Sequence, residues 1–145
     1  MYEVLVTTAD RVKLVQVLLA SAEIASDVPA KTNHYHFLFL PQHGLDLGKF
    51  MKRLNGSTAH QLNGLDNTRG RTVWYTYWDT CIRGEHDFWT RFNYIHYNPV
   101  KHGYVQQPED WLFSSYRQYI SDNEVWMKEC AQEFPITTLF DNDKF

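Results

Sequence analysis

The sequence predicts an α+β fold in which helices pack on one face of a β-sheet. Two segments rich in aromatic and bulky apolar residues, 32–40 (TNHYHFLFL) and 72–82 (TVWYTYWDTCI), have the composition of strands. Between them, apolar residues recur at intervals of three and four from Leu47 towards Asn63, which is the spacing of a helix with one buried face. Strands and helices in this order indicate an α+β sheet covered by helices.

The region before the first of these strands is predicted to contain one helix. Residues 2–7 are ambiguous in period and fit either a short strand or the approach to a helix. Asp10 is a suitable N-cap, and apolar residues follow it at helical spacing, so we expect a helix from Arg11 to Ala25. A turn around Pro29 then leads into the strand.

The strand at 32–40 has two different faces. Because side chains alternate along a strand, one face carries His34, His36, Leu38 and Leu40, and the other carries Tyr35, Phe37 and Phe39. The two imidazoles therefore point the same way, at a separation that suits a shared cation.

Three further helices are predicted after the strand at 32–40. Asp46 is the expected cap of the helix at Leu47. Acidic residues after Gly84 favour a helix start, and Pro99 should end or kink that helix at Asn98. Residues 108–113 are predicted to form a loop, and Ser114 to cap a last helix that ends near residue 133. We expect one domain over residues 1–133, followed by an acidic tail at 134–145.

Composition fits a soluble protein with a core of its own. The chain has 145 residues, 43% of them hydrophobic, and a formal net charge of −3. Two Lys/Arg stand against six Asp/Glu in residues 121–145, so the acidity lies mainly at that end. Residues 49–71 contain five cations and one acid, which permits a face that contacts phosphate but is usually only a solvated surface.

Other features indicate a reduced, cytoplasmic environment. Cys81 and Cys130 are far apart and have no metal-binding spacing. The first eleven residues lack a basic segment followed by an apolar one, so we expect no signal peptide. The longest apolar stretch, residues 12–25, is interrupted by polar and charged side chains, so no membrane span is expected.

The stretch from Asn93 to Gly103 (NYIHYNPVKHG) holds the main candidate site. Tyr94 and Asn98 are four residues apart and share one face of a helix. Spacing alone also fits a packed tyrosine followed by an asparagine that ends a helix. If the strand with His34 and His36 lies beside this helix, two imidazole nitrogens and an amide oxygen could hold a divalent cation. A phenol beside such a cation is an arrangement for covalent phosphoryl transfer.

Three segments resemble the single-tyrosine HUH transposases, and REP-associated tyrosine transposases in particular. They are His34–His36 (HYH), Tyr94–Gly103 (YIHYNPVKHG) and Trp111–Tyr116 (WLFSSY), and the likeness extends over residues 30–120. The YIxxNPVKxG string is specific, whereas the histidine pair alone is not. The resemblance implies a ferredoxin-like antiparallel sheet. Only 33 residues precede His34, fewer than is usual in the family, so the first strand is expected to be short, within residues 2–7, or missing.

The resemblance also implies an activity and its residues. It implies a metal-dependent endonuclease and strand-transferase that acts on single-stranded DNA, often beside a hairpin, and forms a 5′-phosphotyrosine. Tyr94 falls on the nucleophile, His34 and His36 on the HUH histidines, and Asn98 on the third ligand, with Mg²⁺ or Mn²⁺ as the expected ion.

Seven further residues are candidates for DNA contact, and the expected location is the cytoplasm, beside the nucleoid. Whether the site is completed within one chain or across a homodimer is left open. Two other functions are considered: a single-stranded nucleic-acid-binding module without catalysis, and a metal or nucleotide hydrolase, which is disfavoured because Leu38 stands where a third histidine would be needed. The candidate DNA contacts are Lys49, Lys52, Arg53, Arg83, Arg91, Lys101 and His102.

Overall fold

The computed structural model describes residues 4–6, 14–21, 34–39 and 47–137. The predicted turn near Pro29, the predicted caps Asp10 and Asp46, and residues 138–145 of the predicted tail lie outside these ranges. The described elements are β1 (Val4–Val6), β2 (Leu14–Ser21), β3 (His34–Phe39), α1 (Leu47–Leu65), β4 (Trp74–Ile82), α2 (Glu85–Lys101), a 3₁₀ turn (Pro108–Asp110), α3 (Tyr116–Asp122) and α4 (Glu124–Glu133).

The four strands form one sheet in the order β1-β3-β2-β4. Strand β2 runs antiparallel to both β3 and β4, whereas β1 pairs in parallel with β3, with Val4 opposite Phe37. The predicted antiparallel sheet is therefore correct for three strands and wrong for the edge strand β1. The short first strand expected within residues 2–7 is present as β1.

The helix predicted from Arg11 to Ala25 is wrong, because residues 14–21 form strand β2. This strand is central and has partners on both sides, with Leu18 opposite His36 of β3 and Trp78 of β4. A central strand reads as a nearly continuous apolar run, and such a run also satisfies the three-and-four spacing of a helix. Pairing with β3 and β4 therefore favours the strand over the helix at residues 14–21.

Helices cover both faces of the sheet, so the predicted single helical layer is also wrong. On one face of β3, Tyr35 and Phe37 pack against Met51 of α1. On the other, Leu38 packs against Phe92 of α2. Because β3 carries apolar side chains on both faces, each face requires a cover. The histidine face of β3 is the one that α2 covers.

Helix α2 continues past Asn98, where it was predicted to end or kink. It runs through Pro99 to Lys101. Pro99 lacks the N–H group that would donate to the carbonyl one turn earlier, so the helix loses one hydrogen bond there. The next turn is intact, because the His102 N–H donates to the Asn98 carbonyl at 3.0 Å. The last helical turn therefore contains Asn98 in its interior, and the helix continues for three residues beyond it.

The last helix is divided in two. A single helix beginning at Ser114 was predicted, but α3 and α4 are separated at Asn123, whose φ of −159° is extended. The Asn123 side chain accepts a hydrogen bond from the Trp126 N–H at 3.0 Å and so caps α4. The Ser114 Oγ accepts one from the Tyr116 N–H at 3.1 Å, at the start of α3.

A buried asparagine ties α4 to α2. The Asn93 Nδ2 donates to the carbonyls of Cys130 and Phe134, each at 2.9 Å. The Phe134 ring also lies 6.4 Å from the Trp89 ring, centroid to centroid. The first residue of the predicted tail thus contacts α2, and the domain boundary at residue 133 stays a prediction. Within the described ranges, no helix is both long and apolar enough to cross a membrane.

His96 lies inside the helical layer and not on its surface. Only 2% of the residue is exposed, and its ring lies 4.4 Å from the Phe92 ring, centroid to centroid. The Nε2 atom is 2.9 Å from the Ser115 Oγ, which joins α2 to the segment before α3. Burial lowers the pKa of His96 from 6.5 to about 4, while the Phe92 backbone acts weakly in the opposite direction.

This lowered pKa predicts a loss of stability in mild acid. Below pH 6.5 the unfolded chain binds a proton at His96 before the folded chain does, so the free energy of unfolding should fall between pH 6.5 and about 4. The full shift corresponds to roughly 3 kcal/mol. Urea denaturation at several pH values should show a shallower acid slope for His96→Gln than for the unsubstituted chain. The control is the same change at the exposed His60, and an unchanged slope in His96→Gln would contradict this account.

Candidate active site

The sheet presents two buried histidines to helix α2. His36 is fully buried and His34 is 5% exposed, with ring centroids 5.1 Å apart. They share a face because they are two residues apart on β3, as predicted. The neighbouring strand β2 pairs Ala20 with His34 and Leu18 with His36, and this pairing holds the two side chains in register.

Helix α2 brings Tyr94 and Asn98 to the same place. Both residues are buried, and the Asn98 Nδ2 donates to the Tyr94 hydroxyl at 3.4 Å. The Tyr94 ring lies 5.7 Å from the His36 ring, centroid to centroid. The strand of the predicted ligands therefore lies beside the helix of the predicted nucleophile, which was the condition for a shared site.

Burial keeps both histidines neutral. It lowers the pKa of His34 to about 4, with a further decrease from His102, while the Asn98 side chain acts in the opposite direction. Burial also lowers the pKa of His36 well below its usual range, helped by His34 and His102. A neutral imidazole has a free lone pair, which is the form that binds metal ions. Asn98 lies between Tyr94 and His34 and interacts with both.

Lys101 lies against the Tyr94 side chain. Its Nζ donates to the Tyr94 hydroxyl at 3.3 Å and is 5.0 Å from the ring centroid. Burial lowers the pKa of Lys101. Two donors, one amide and one ammonium, thus converge on the phenolic oxygen and favour negative charge there. Lys101 was predicted only as a DNA contact.

His102 is the part of the site that the sequence analysis undervalued. Its ring lies 5.5 Å from that of His34, centroid to centroid. It was predicted only as a DNA contact. Its spacing could have revealed it, since it lies four residues after Asn98 and eight after Tyr94, on the same side of α2.

The other predicted DNA contacts do not gather around Tyr94. The exposed Lys49, Lys52 and Arg53 belong to α1, which packs on the opposite face of β3. Arg83 is exposed just after β4. Arg91 forms an ion pair with Asp87, with 2.7 Å between Nε and Oδ1. Of the seven residues, only Lys101 and His102 adjoin the tyrosine and the histidines.

The donor atoms at the site fit a divalent cation. In the described ranges, no group of three or more His, Cys, Asp or Glu side chains is arranged to hold a metal ion. The predicted ligand set contains two histidines and an amide, which is a different combination. Both ring nitrogens of His36 and the Oδ1 of Asn98 are buried without a hydrogen-bond partner among the described residues. A buried polar atom in this state costs about 1–3 kcal/mol, which binding of a cation would offset.

Comparison with known proteins finds similar chains in sequence and in structure. No protein-family model matches the chain. A 42-residue segment is 45% identical to a candidate REP-associated tyrosine transposase of Haemophilus influenzae and covers 29% of this chain and 24% of that protein. Over 90 residues the chain is 31% identical to a REP-associated tyrosine transposase of Escherichia coli K12, covering 61% and 51%. The chain thus spans about half the length, or less, of these curated relatives.

A solved structure has the same fold. It is the structure of a REP-associated tyrosine transposase bound to a REP hairpin, and it matches with a TM-score of 0.59 at 19% identity. The match covers 80% of this chain and 86% of the other. The sequence matches and the shared fold confirm the resemblance: in sequence and in fold, this chain is similar to REP-associated tyrosine transposases.

Proposed function

We propose that the chain is a transposase-type endonuclease and strand-transferase that acts on single-stranded, hairpin-associated DNA. The observation that carries this proposal is the environment of the Tyr94 hydroxyl, which accepts hydrogen bonds from Asn98 and Lys101 beside two buried histidines. Such an oxygen is prepared to act as a nucleophile. A packed tyrosine of the core would need neither an ammonium group beside its hydroxyl nor buried polar atoms without partners nearby.

The proposed reaction is a reversible exchange at phosphorus. The Tyr94 oxygen attacks a phosphodiester, the bond from phosphorus to the 3′-oxygen breaks, and the phenol loses its proton while the leaving oxygen gains one. The products are a 5′-phosphotyrosine and a free 3′-hydroxyl. A phenol has a pKa of about 10 in peptides, well below that of a sugar hydroxyl, so a second 3′-hydroxyl can displace Tyr94 and rejoin the DNA.

Each neighbouring residue has a role in this step. Lys101 and Asn98 hold the Tyr94 oxygen and stabilise the charge that it carries when deprotonated. His34, His36 and the Asn98 Oδ1 are the proposed ligands of Mg²⁺ or Mn²⁺. A divalent cation at these ligands would polarise a phosphoryl oxygen and orient the DNA.

The proposed substrate follows from the relatives and not from charge. The matching solved structure is of a transposase bound to a REP hairpin, and we extend hairpin-associated DNA to this chain.

A ferredoxin-like sheet is also part of the proposal. Strands β3 and β4 run in the same direction with β2 antiparallel between them and α1 as their connection, which is the split β-α-β unit of that fold. Such a protein would act in the cytoplasm beside the nucleoid.

The first test of this function is a covalent protein–DNA adduct. On incubation with a single-stranded hairpin oligonucleotide and Mg²⁺ or Mn²⁺, the chain should form an adduct that survives denaturing electrophoresis. Tyr94→Phe should abolish the adduct, because only the attacking oxygen is removed, and should leave DNA binding largely intact. The matched control is Tyr97→Phe, which removes a hydroxyl from the same helix.

Two results would contradict the proposal in different ways. An adduct that persists in Tyr94→Phe would show that another tyrosine, such as Tyr97 or Tyr104, is the nucleophile. DNA binding without any adduct would favour the single-stranded nucleic-acid-binding module over the enzyme.

A second test addresses Lys101. Replacement by Met keeps the length of the side chain but removes the cation 3.3 Å from the Tyr94 oxygen. We expect adduct formation to slow by roughly 10- to 100-fold, in the range of other lost electrostatic contacts. Raising the pH should restore part of the rate in Lys101→Met, because hydroxide then removes the phenolic proton. A rate equal to that of the unsubstituted chain would exclude this role.

A third test measures the cation directly. Electron paramagnetic resonance of Mn²⁺ should show binding by the unsubstituted chain and much weaker binding by His36→Gln, which loses a buried imidazole. His60→Gln, at an exposed histidine on α1, is the control. Mn²⁺ should also raise the melting temperature of the unsubstituted chain more than that of His36→Gln. Equal binding by both would contradict the assignment of His36 as a ligand.

A further inference from the structure

Four rings form a continuous row that begins at the site. His102 and Tyr104 stack with centroids 5.9 Å apart and planes at 23°, and Tyr104 and Trp111 stack at 5.6 Å and 27°. The Phe113 ring then meets the Trp111 ring edge-on at 5.8 Å and 73°. We call these four residues the aromatic row.

The row connects the proposed active site to the surface. At one end, His102 lies 5.5 Å from His34, centroid to centroid. At the other end, Phe113 is 52% exposed and the adjacent Leu112 is 65% exposed. Tyr104 and Trp111, in the middle, are half-buried against the cluster that contains Tyr35. The core therefore supports one side of the row, and the end of the row at Phe113 is exposed to solvent.

The turn after α2 creates this arrangement. Gly103 has a φ of +71°, in the left-handed region that suits glycine, and the Tyr104 N–H donates to the Pro99 carbonyl at 2.9 Å. The chain therefore reverses at the end of α2 and brings Tyr104 alongside His102.

We propose that the aromatic row binds unpaired bases of the DNA strand that enters the site, by stacking on its rings. This inference rests on the proposed function, because it names how the same substrate is held. Aromatic rings at the surface next to a nuclease site provide a surface on which bases of any sequence can stack. Acidic Glu109 and Asp110 precede Trp111, so this segment offers little attraction for phosphate. Its contribution to binding should therefore depend only weakly on salt.

The experiment compares bases with bare backbone. A Tyr94→Phe background prevents cleavage, and the probe is a DNA hairpin with unpaired nucleotides on both sides, labelled for fluorescence anisotropy. Adding Phe113→Ala should weaken binding by roughly 5- to 20-fold. The same change should have little effect on a probe whose unpaired nucleotides are abasic, because that probe keeps the phosphates but has nothing to stack. The loss should be similar at low and high salt.

Matched variants separate stacking from general apolar contact. Leu112→Ala removes a neighbouring, more exposed apolar side chain outside the row and should change affinity by less than about twofold. Phe113→Leu retains an apolar side chain without a ring and should behave like Phe113→Ala; it also serves if the alanine variant folds poorly. Equal losses on normal and abasic probes, or no loss on either, would overturn the proposal. Self-association that Phe113→Ala abolishes, with DNA affinity unchanged, would assign the surface to a second copy of the chain.

The outcome is independent of the proposed chemistry. If no adduct forms with the unsubstituted chain but the row still distinguishes bases from abasic backbone, the proposed nuclease fails and the stacking surface stands. If adducts form normally while Phe113→Ala binds both probes with unchanged affinity, the nuclease stands and the stacking surface fails.

Discussion

The Asn98 side chain joins the two halves of the site. It donates to the Tyr94 hydroxyl on its own helix and interacts with His34 on the strand, so it connects the proposed nucleophile to the proposed ligands. The position of this side chain depends on α2 packing on the histidine face of β3. The packing of Leu38 against Phe92 is therefore as important for the site as the polar residues themselves.

The polar groups of the site are held at a cost in stability. His36 is fully buried, yet its ring nitrogens have no hydrogen-bond partner among the described residues. Replacing it with an apolar residue of similar size would remove that cost, so such a change should stabilise the metal-free protein while removing a proposed ligand. A polar cluster of this kind, enclosed by a well-packed core, is expected where function rather than stability determines the residues.

Sequence reasoning succeeded where a local pattern had a single structural solution. The alternation along β3 placed His34 and His36 on one face, and the four-residue spacing placed Tyr94 and Asn98 on one face of α2. That these two faces meet was a condition that the sequence left open. Reasoning failed where long-range pairing decided. Residues 14–21 fit a helix until the partner strands on both sides are known. Spacing alone also did not predict that Lys101 contacts the Tyr94 hydroxyl, and this residue was predicted only as a DNA contact.

The pairing of β2 with β3 has a consequence for how the site forms. Leu18 lies opposite His36, and alternate residues of β3 face opposite helices. A slip of the register by one residue would turn the imidazoles towards α1 and the Phe37 ring towards α2. Such a state would bury the two imidazole rings against Met51 of α1, and α1 would lose its apolar contacts with Tyr35 and Phe37. The energetic penalty for a misaligned sheet therefore also selects against a misassembled form of the proposed active site.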